Sequence, residues 1–226
     1  MEILGVGLVL PGNIQAAPDG AMGFDADTRI SADEAEQFVN QGYSFCVRYL
    51  SRGIGQAPGD LSAAEAGGIL AAGLGLMAVQ HVRQVGWEPN AALGQGDGTH
   101  AAGNAAAIGF PPGVNIWCDL EGVAGDAAAA DVIGYCNAWF AAVAARGYVP
   151  GLYVGANCIL DGQQLYDLAF QHYWKSISDV PVLPARGYQL TQTMVPGLVN
   201  GIGIDKDVAK TDGEGGQALW LAVGTA

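Results

Sequence analysis

The chain of 226 residues carries 9 Lys and Arg against 22 Asp and Glu, a formal net charge of −13 at pH 7. Nucleic-acid binding through phosphates needs clustered Lys and Arg, and no such cluster is present, so that class of partner is excluded. With 50% hydrophobic residues the chain is too apolar for a disordered acidic tail, and its length suits one α/β barrel or one large sandwich. Glycine is abundant, at 35 residues, without any G-X-Y period, and reads as many tight junctions between strands and helices. Cys46, Cys118, Cys136 and Cys158 have no CxxC spacing and sit mostly in apolar segments. They are expected as buried free thiols rather than a zinc site. The stretch Met1–Leu10 is apolar but short, carries Glu2 and has no basic flank. It reads as neither an export signal nor a membrane span.

In chain order, a Gly/Pro-punctuated lead-in precedes a first strand at 23–27. Ser31-Ala32-Asp33-Glu34 has the form of a capping box and opens a helix that runs to about Gln41. A second strand follows at 45–50. Ser62-Ala63-Ala64-Glu65 repeats the capping pattern ahead of a helix continuing through 66–72. Strands are expected at 76–82, 114–121, 149–155 and 172–177, with helices at 98–108, 126–146 and 163–170 between them. This alternation implies a parallel sheet with helical crossovers. The last two strands, 187–193 and 203–208, follow gaps of about nine residues, short of the dozen or so that a helical crossover requires. The expected fold class is therefore α/β, a TIM-like barrel reduced to five βα units plus three strands. Residues 1–22 form a lead-in, 23–208 the barrel, and 209–226 a C-terminal tail packing on it.

Three segments share an acid-x-acid form at strand ends: Asp25-Ala26-Asp27, Asp119-Leu120-Glu121 and Asp205-Lys206-Asp207. Residues two apart on a strand face the same side, so each pair projects its carboxylates together. The strands are the first, fourth and eighth, and chemistry in such barrels sits at the C-terminal strand ends. Single Asp-x-Asp pairs are ordinarily turn formers or helix caps, but three at barrel-compatible positions argue for a site. Carboxylates crowded at one mouth raise one another's pKa, which suits a general acid for glycoside hydrolysis.

Those residues carry a resemblance. Asp25, Asp119-Leu120-Glu121 and Asp205 are similar to the acidic set of the family-25 glycoside hydrolases, peptidoglycan muramidases with an Asp-x-Glu motif and a barrel of five βα units followed by three strands. Gly23-Phe24-Asp25, Arg48-Tyr49, Gln189 and Gly203-Ile204-Asp205 resemble more specifically a glycoside-hydrolase-like domain of unknown function related to those lysozymes. The resemblance implies that Glu121 is the general acid. It implies that Asp119 orients the substrate's acetamido group or stabilises charge at the anomeric carbon, and that Asp25 and Asp205 are flanking acids. It implies a bacterial cell-wall glycan as partner and no cofactor, and an envelope or secreted location. Two departures from the muramidase pattern are Gln80-His81, where an aromatic–His pair is usual, and Tyr188-Gln189 in place of Trp-Gln.

Further candidates for contact with substrate are Asp27, Arg48, His81, Tyr153, Trp174, Gln189 and Asp207. Arg48 would pair with a carboxylate at the mouth, and Tyr153 and Trp174 would stack on sugar rings, although aromatics at such positions more often belong to the core. His81, His100 and His172 are too scattered to form a metal site. Two other readings stay open: a glycan-binding barrel without turnover, and a metal-dependent phosphodiesterase using the clustered carboxylates.

Overall fold

The computed structural model describes residues 9–193 and 197–224. Most of the apolar opening Met1–Leu10 lies outside the described residues. β1 (Asn13–Ala16) stands apart from the barrel. β2 (Met22–Ala26), β3 (Phe45–Leu50), β4 (Gly75–Gln80), β5 (Asn115–Leu120), β6 (Val149–Val154), β7 (His172–Lys175) and β8 (Leu190–Thr193) pair in that order, each parallel to the next. A two-residue hairpin of β9 (Leu198–Val199) and β10 (Ile202–Gly203) follows. β11 (Asp205–Ala209) then inserts between β8 and β2, antiparallel to both, and closes an eight-stranded barrel. Finally β12 (Leu219–Ala222) pairs antiparallel with β1 and with β4, so the two ends of the chain extend the sheet outside the closure.

Among the described residues five helices cover the parallel side: α1 (Ala32–Asn40), α2 (Ala63–Ala72), α3 (Ala91–Ile108), α4 (Ala129–Ala144) and α5 (Gly162–Tyr166). Among the described residues no helix occurs between Ile177 and Gly187 or between Thr193 and Gly203, in line with the short connections. The expected reduced barrel is the observed one. All four cysteines are buried and free. Among the described residues no helix is long and apolar enough to cross a membrane.

Three local details differ from expectation. α3 begins at Ala91, seven residues before the expected start, with Asn90 as its cap, accepting from Leu93 N at 3.0 Å. Its early glycines, poor helix formers, mask that first half in the sequence. They are needed for packing: a Cβ at Gly94 would strike the Tyr135 carbonyl and one at Gly98 the Trp139 carbonyl, so α3 and α4 meet backbone to backbone. α5 is only five residues long. Ser31 makes the full capping box with Glu34, but Ser62 makes only half of one, because the Glu65 carboxylate turns away. Glu65 instead accepts from Arg48 Nε at 2.7 Å and from Ile30 N at 2.9 Å.

Candidate active site

Alternation along the strands decides which side chains enter the barrel. On β3, Tyr49 points inward and Arg48 outward. Arg48 is wholly buried between β3 and α2, where it pairs with Glu65 and donates to the carbonyls of Ala26 and Gly59. The expected pairing of Arg48 with a mouth carboxylate is therefore corrected: it braces the wall from outside. Gln189 has the same fate. It lies outside the barrel, its amide nitrogen donating to Gln171 O at 2.9 Å and to Asp212 Oδ2, and its oxygen accepting from Tyr173 N. The glutamine that enters the barrel is Gln192, three residues on and of opposite parity.

Gln192 is the hub of the mouth. Its Nε2 donates to Asp25 Oδ2 at 2.8 Å and to Asp205 Oδ2 at 3.1 Å, while its Oε1 accepts from the Tyr153 hydroxyl at 3.1 Å and from Ile177 N at 3.2 Å. The Tyr49 hydroxyl donates to Asp25 Oδ1 at 3.2 Å. Asp205 lies opposite Asp25 across the β11–β2 pair. Because β11 runs backwards, its N-terminal end arrives where the other strands present their C-terminal ends. The expectation of C-terminal ends throughout holds for Asp25 and Asp119 and is corrected for Asp205.

Glu121 follows the end of β5, two residues beyond inward-facing Asp119. Gly155 makes room for it, since a Cβ there would strike the Glu121 carboxylate. The Glu121 carbonyl accepts from Trp87 Nε1 at 2.9 Å, which fixes the backbone of the turn. Beneath these groups the barrel is filled by aromatics: Trp174 packs edge-on against Trp117 and Tyr153, with centroids 5.8 and 4.6 Å apart. Trp174 is only 1% exposed and so does not face the cleft; its Nε1 donates to Asp207 Oδ1 at 2.8 Å. Asp207 is likewise sealed from solvent.

Above them opens a cavity of about 390 Å³ lined by Asp25, Asp27, Tyr49, His81, Gly203 and Asp205, among others. Asp27 is on its exposed rim. His81 stands over the Tyr49 ring at 4.7 Å, its Nε2 2.7 Å from Asp60 Oδ1. Among the described residues no three His, Cys, Asp or Glu side chains are arranged to hold a metal ion.

The electrostatics follow from burial. Burial pushes Asp25 up to about 7, against the hydrogen bond from Gln192 and with the charge of Asp205 adding to it. Asp119 is pushed well above the carboxylate range by burial and by the charges of Glu121 and Asp25, and its Oδ1 has no protein partner among the described residues. Glu121 is raised by burial and then by Asp205, and Asp205 by burial alone. Asp207 is raised well above the usual range by burial and by the charge of Asp25, and its Oδ2 has no partner among the described residues.

Raised carboxyl values have a sign. The folded protein binds more protons than the unfolded chain, so stability falls as pH rises from about 4, the unfolded value, toward the folded one. For Asp25 the full cost is felt above about 7. The melting temperature is expected to be several degrees higher at pH 5 than at pH 8, and Asp207→Asn to shrink that difference. Calorimetry showing stability rising between those two pH values would contradict this picture.

A family model described as the Rv2525c-like, glycoside hydrolase-like domain matches residues 36–209, and the chain belongs to that family. No curated protein matches the sequence. Among solved structures, the chain is similar to the Tat-secreted protein Rv2525c of Mycobacterium tuberculosis in complex with L-tartrate. That likeness has 18% identity and a TM-score of 0.64, covering 85% of this chain and 96% of that one. A bacterial lysozyme from Streptomyces coelicolor matches at 16% identity and a TM-score of 0.54, over 85% of this chain and 93% of that one. A family 25 glycosyl hydrolase from Bacillus anthracis matches at 14% identity and a TM-score of 0.53, over 84% and 88%. At these identities the likeness is one of fold.

Proposed function

We propose that this member of the Rv2525c-like glycoside hydrolase-like family cleaves bacterial cell-wall glycan of the peptidoglycan type, with Glu121 as general acid. The observation that carries the reading is the pairing of Glu121, half-buried at the mouth with a raised pKa, with buried Asp119, whose Oδ1 has no protein partner among the described residues. A carboxyl whose pKa is raised keeps its proton to higher pH than an ordinary glutamate and can give it to a departing glycosidic oxygen. Asp119, held neutral by burial, offers its O–H to an acetamido carbonyl of the sugar. Asp25 and Asp205, bridged by Gln192, face the cavity and receive sugar hydroxyls, and Asp27 and His81 bound the same cleft from its rim. Tyr153 acts through Gln192. Trp174 and Asp207, bonded to each other, are sealed beneath and do not reach the substrate. The lysozyme and family-25 folds among the structural neighbours support glycan as the substrate class.

The test is release of reducing ends from purified peptidoglycan as a function of pH. An acid that works only when protonated loses activity as pH rises through its pKa. The rate is expected to fall on the alkaline side at a pH above about 4.3, the ordinary glutamate value. A rate that climbs steadily from pH 5 to 8 would remove a carboxyl general acid. Binding of the glycan with no cleavage at any pH would make the barrel a binding module.

A further inference from the structure

Beside the mouth lies a second pocket, of about 330 Å³, lined by Arg52, Arg83, Gln84, Val85, Gly86 and Trp87. In a chain with only 9 Lys and Arg, two stand in this one hollow. Both are held firmly. Arg83 donates from Nε and Nη2 to the two oxygens of Asp97 at 2.9 and 2.7 Å, and the Tyr135 hydroxyl fixes the same carboxylate at 3.0 Å. Arg52 Nη1 donates to Val82 O at 2.9 Å, and the Arg52 carbonyl accepts from His100 Nδ1 at 2.9 Å. Asn104 fastens the same loop, donating to Ser51 O at 3.0 Å and Gly53 O at 2.8 Å and accepting from Gly55 N at 2.9 Å.

Asp97, His100 and Asn104 fall on one face of α3, three and four residues apart. Asp97 and Asn104 are each 4% exposed. Burying such groups is unfavourable unless they are satisfied, and what satisfies them is the pair of loops that carry the arginines. Asp97 neutralises Arg83. Among the described residues no carboxylate lies within ion-pair distance of Arg52, so the pocket keeps one positive charge. It also adjoins the proposed acid: Gly86 N donates to Gly122 O at 2.7 Å, and Trp87 Nε1 reaches the Glu121 carbonyl.

We propose that this pocket is a subsite for a carboxylate borne by the saccharide whose chain occupies the mouth, which rests on the glycan reading of that mouth. A guanidinium matches the planar carboxylate in shape and charge. On a molecule of net charge −13, a fixed local cation is what lets an anionic chain approach at this point. Trp87 and Val85 supply apolar surface beside it.

The experiment is isothermal titration in a Glu121→Gln background, so that nothing is cleaved. Four probes are used: an oligosaccharide of alternating N-acetylglucosamine and N-acetylmuramic acid, the same with its lactyl carboxylate reduced to the alcohol, a chitooligosaccharide, and a hyaluronan oligosaccharide. The carboxylated muramyl or hyaluronan probe should bind about tenfold tighter than the uncharged ones. Arg52→Gln should abolish that preference while leaving chitooligosaccharide affinity unchanged, and Arg52→Lys should retain part of it. Tighter muramyl than hyaluronan binding would assign the lactyl carboxylate, and the reverse a ring carboxylate; either supports the subsite. Equal affinities for charged and uncharged probes, or a uniform loss with Arg52→Gln, would overturn it while leaving the glycan reading intact. No binding of any probe would overturn both.

Discussion

Glu121→Gln is expected to lower the rate of peptidoglycan cleavage by about 10²–10⁴-fold while leaving the fold intact. The amide is nearly isosteric with the acid but has no proton to give a leaving group. The substituted side chain keeps its place against Gly155, and the Trp87 bond to the Glu121 carbonyl is a backbone contact that the change does not touch. It also removes a group whose charge Asp119 feels, so the melting temperature should hold or rise slightly. Asp119→Asn should do less harm, because a neutral amide still donates to an acetamido carbonyl. Steady-state rates for the two variants, measured beside their thermal unfolding, check this order; equal activity of Glu121→Gln and wild type would take Glu121 out of the mechanism.

The largest effect on stability should come from the outer wall. Glu65→Ala leaves the Arg48 guanidinium, which has no exposed surface, facing α2 without a counter-charge. Breaking a buried pair from one side costs about 3–5 kcal/mol, which for a chain of this size is a fall of roughly 10–15 °C in melting temperature. It also orphans the Ile30 amide. The double change Arg48→Met with Glu65→Leu should recover much of the loss, since an apolar pair of similar volume has no charge to desolvate. A single Glu65→Ala protein with an unchanged melting temperature would show that Arg48 finds another partner and that the pair is not what braces β3 against α2.

The barrel was legible because its rhythm is written in lengths: helical crossovers fit between the early strands and do not fit between the last three. The acid-x-acid spacing likewise located Asp25, Asp119, Glu121 and Asp205, since strand alternation makes a pair of acids share a face. Parity decided the rest, and parity is fragile. A strand start misplaced by one residue turns every side chain to the other face. Gln189 stands where the resemblance places a glutamine on the seventh strand, but it has the outward parity; Gln192, in step with Leu190, has the inward one. Arg48 sits between inward Val47 and inward Tyr49, and a charged residue in so apolar a strand signals a partner without saying on which side. The reversal of β11, which brings Asp205 to the mouth by its N-terminal end, is visible only once the short connection before it is known to be a hairpin. The polar face of α3 has no local signal in the sequence, because its contacts run to loops about 50 residues earlier in the chain, as in the bonds from Asn104 to Ser51 and Gly53.

One measurement bears most directly on the claim that this mouth is a glycan-cleaving site: mass analysis of products from a defined, purified peptidoglycan oligomer incubated with the wild type and with Glu121→Gln. The account predicts shorter saccharides with new reducing ends from the wild type and intact oligomer from the variant, both proteins binding it. Intact oligomer recovered from both, with binding preserved, would contradict cleavage and leave a barrel that only holds its glycan.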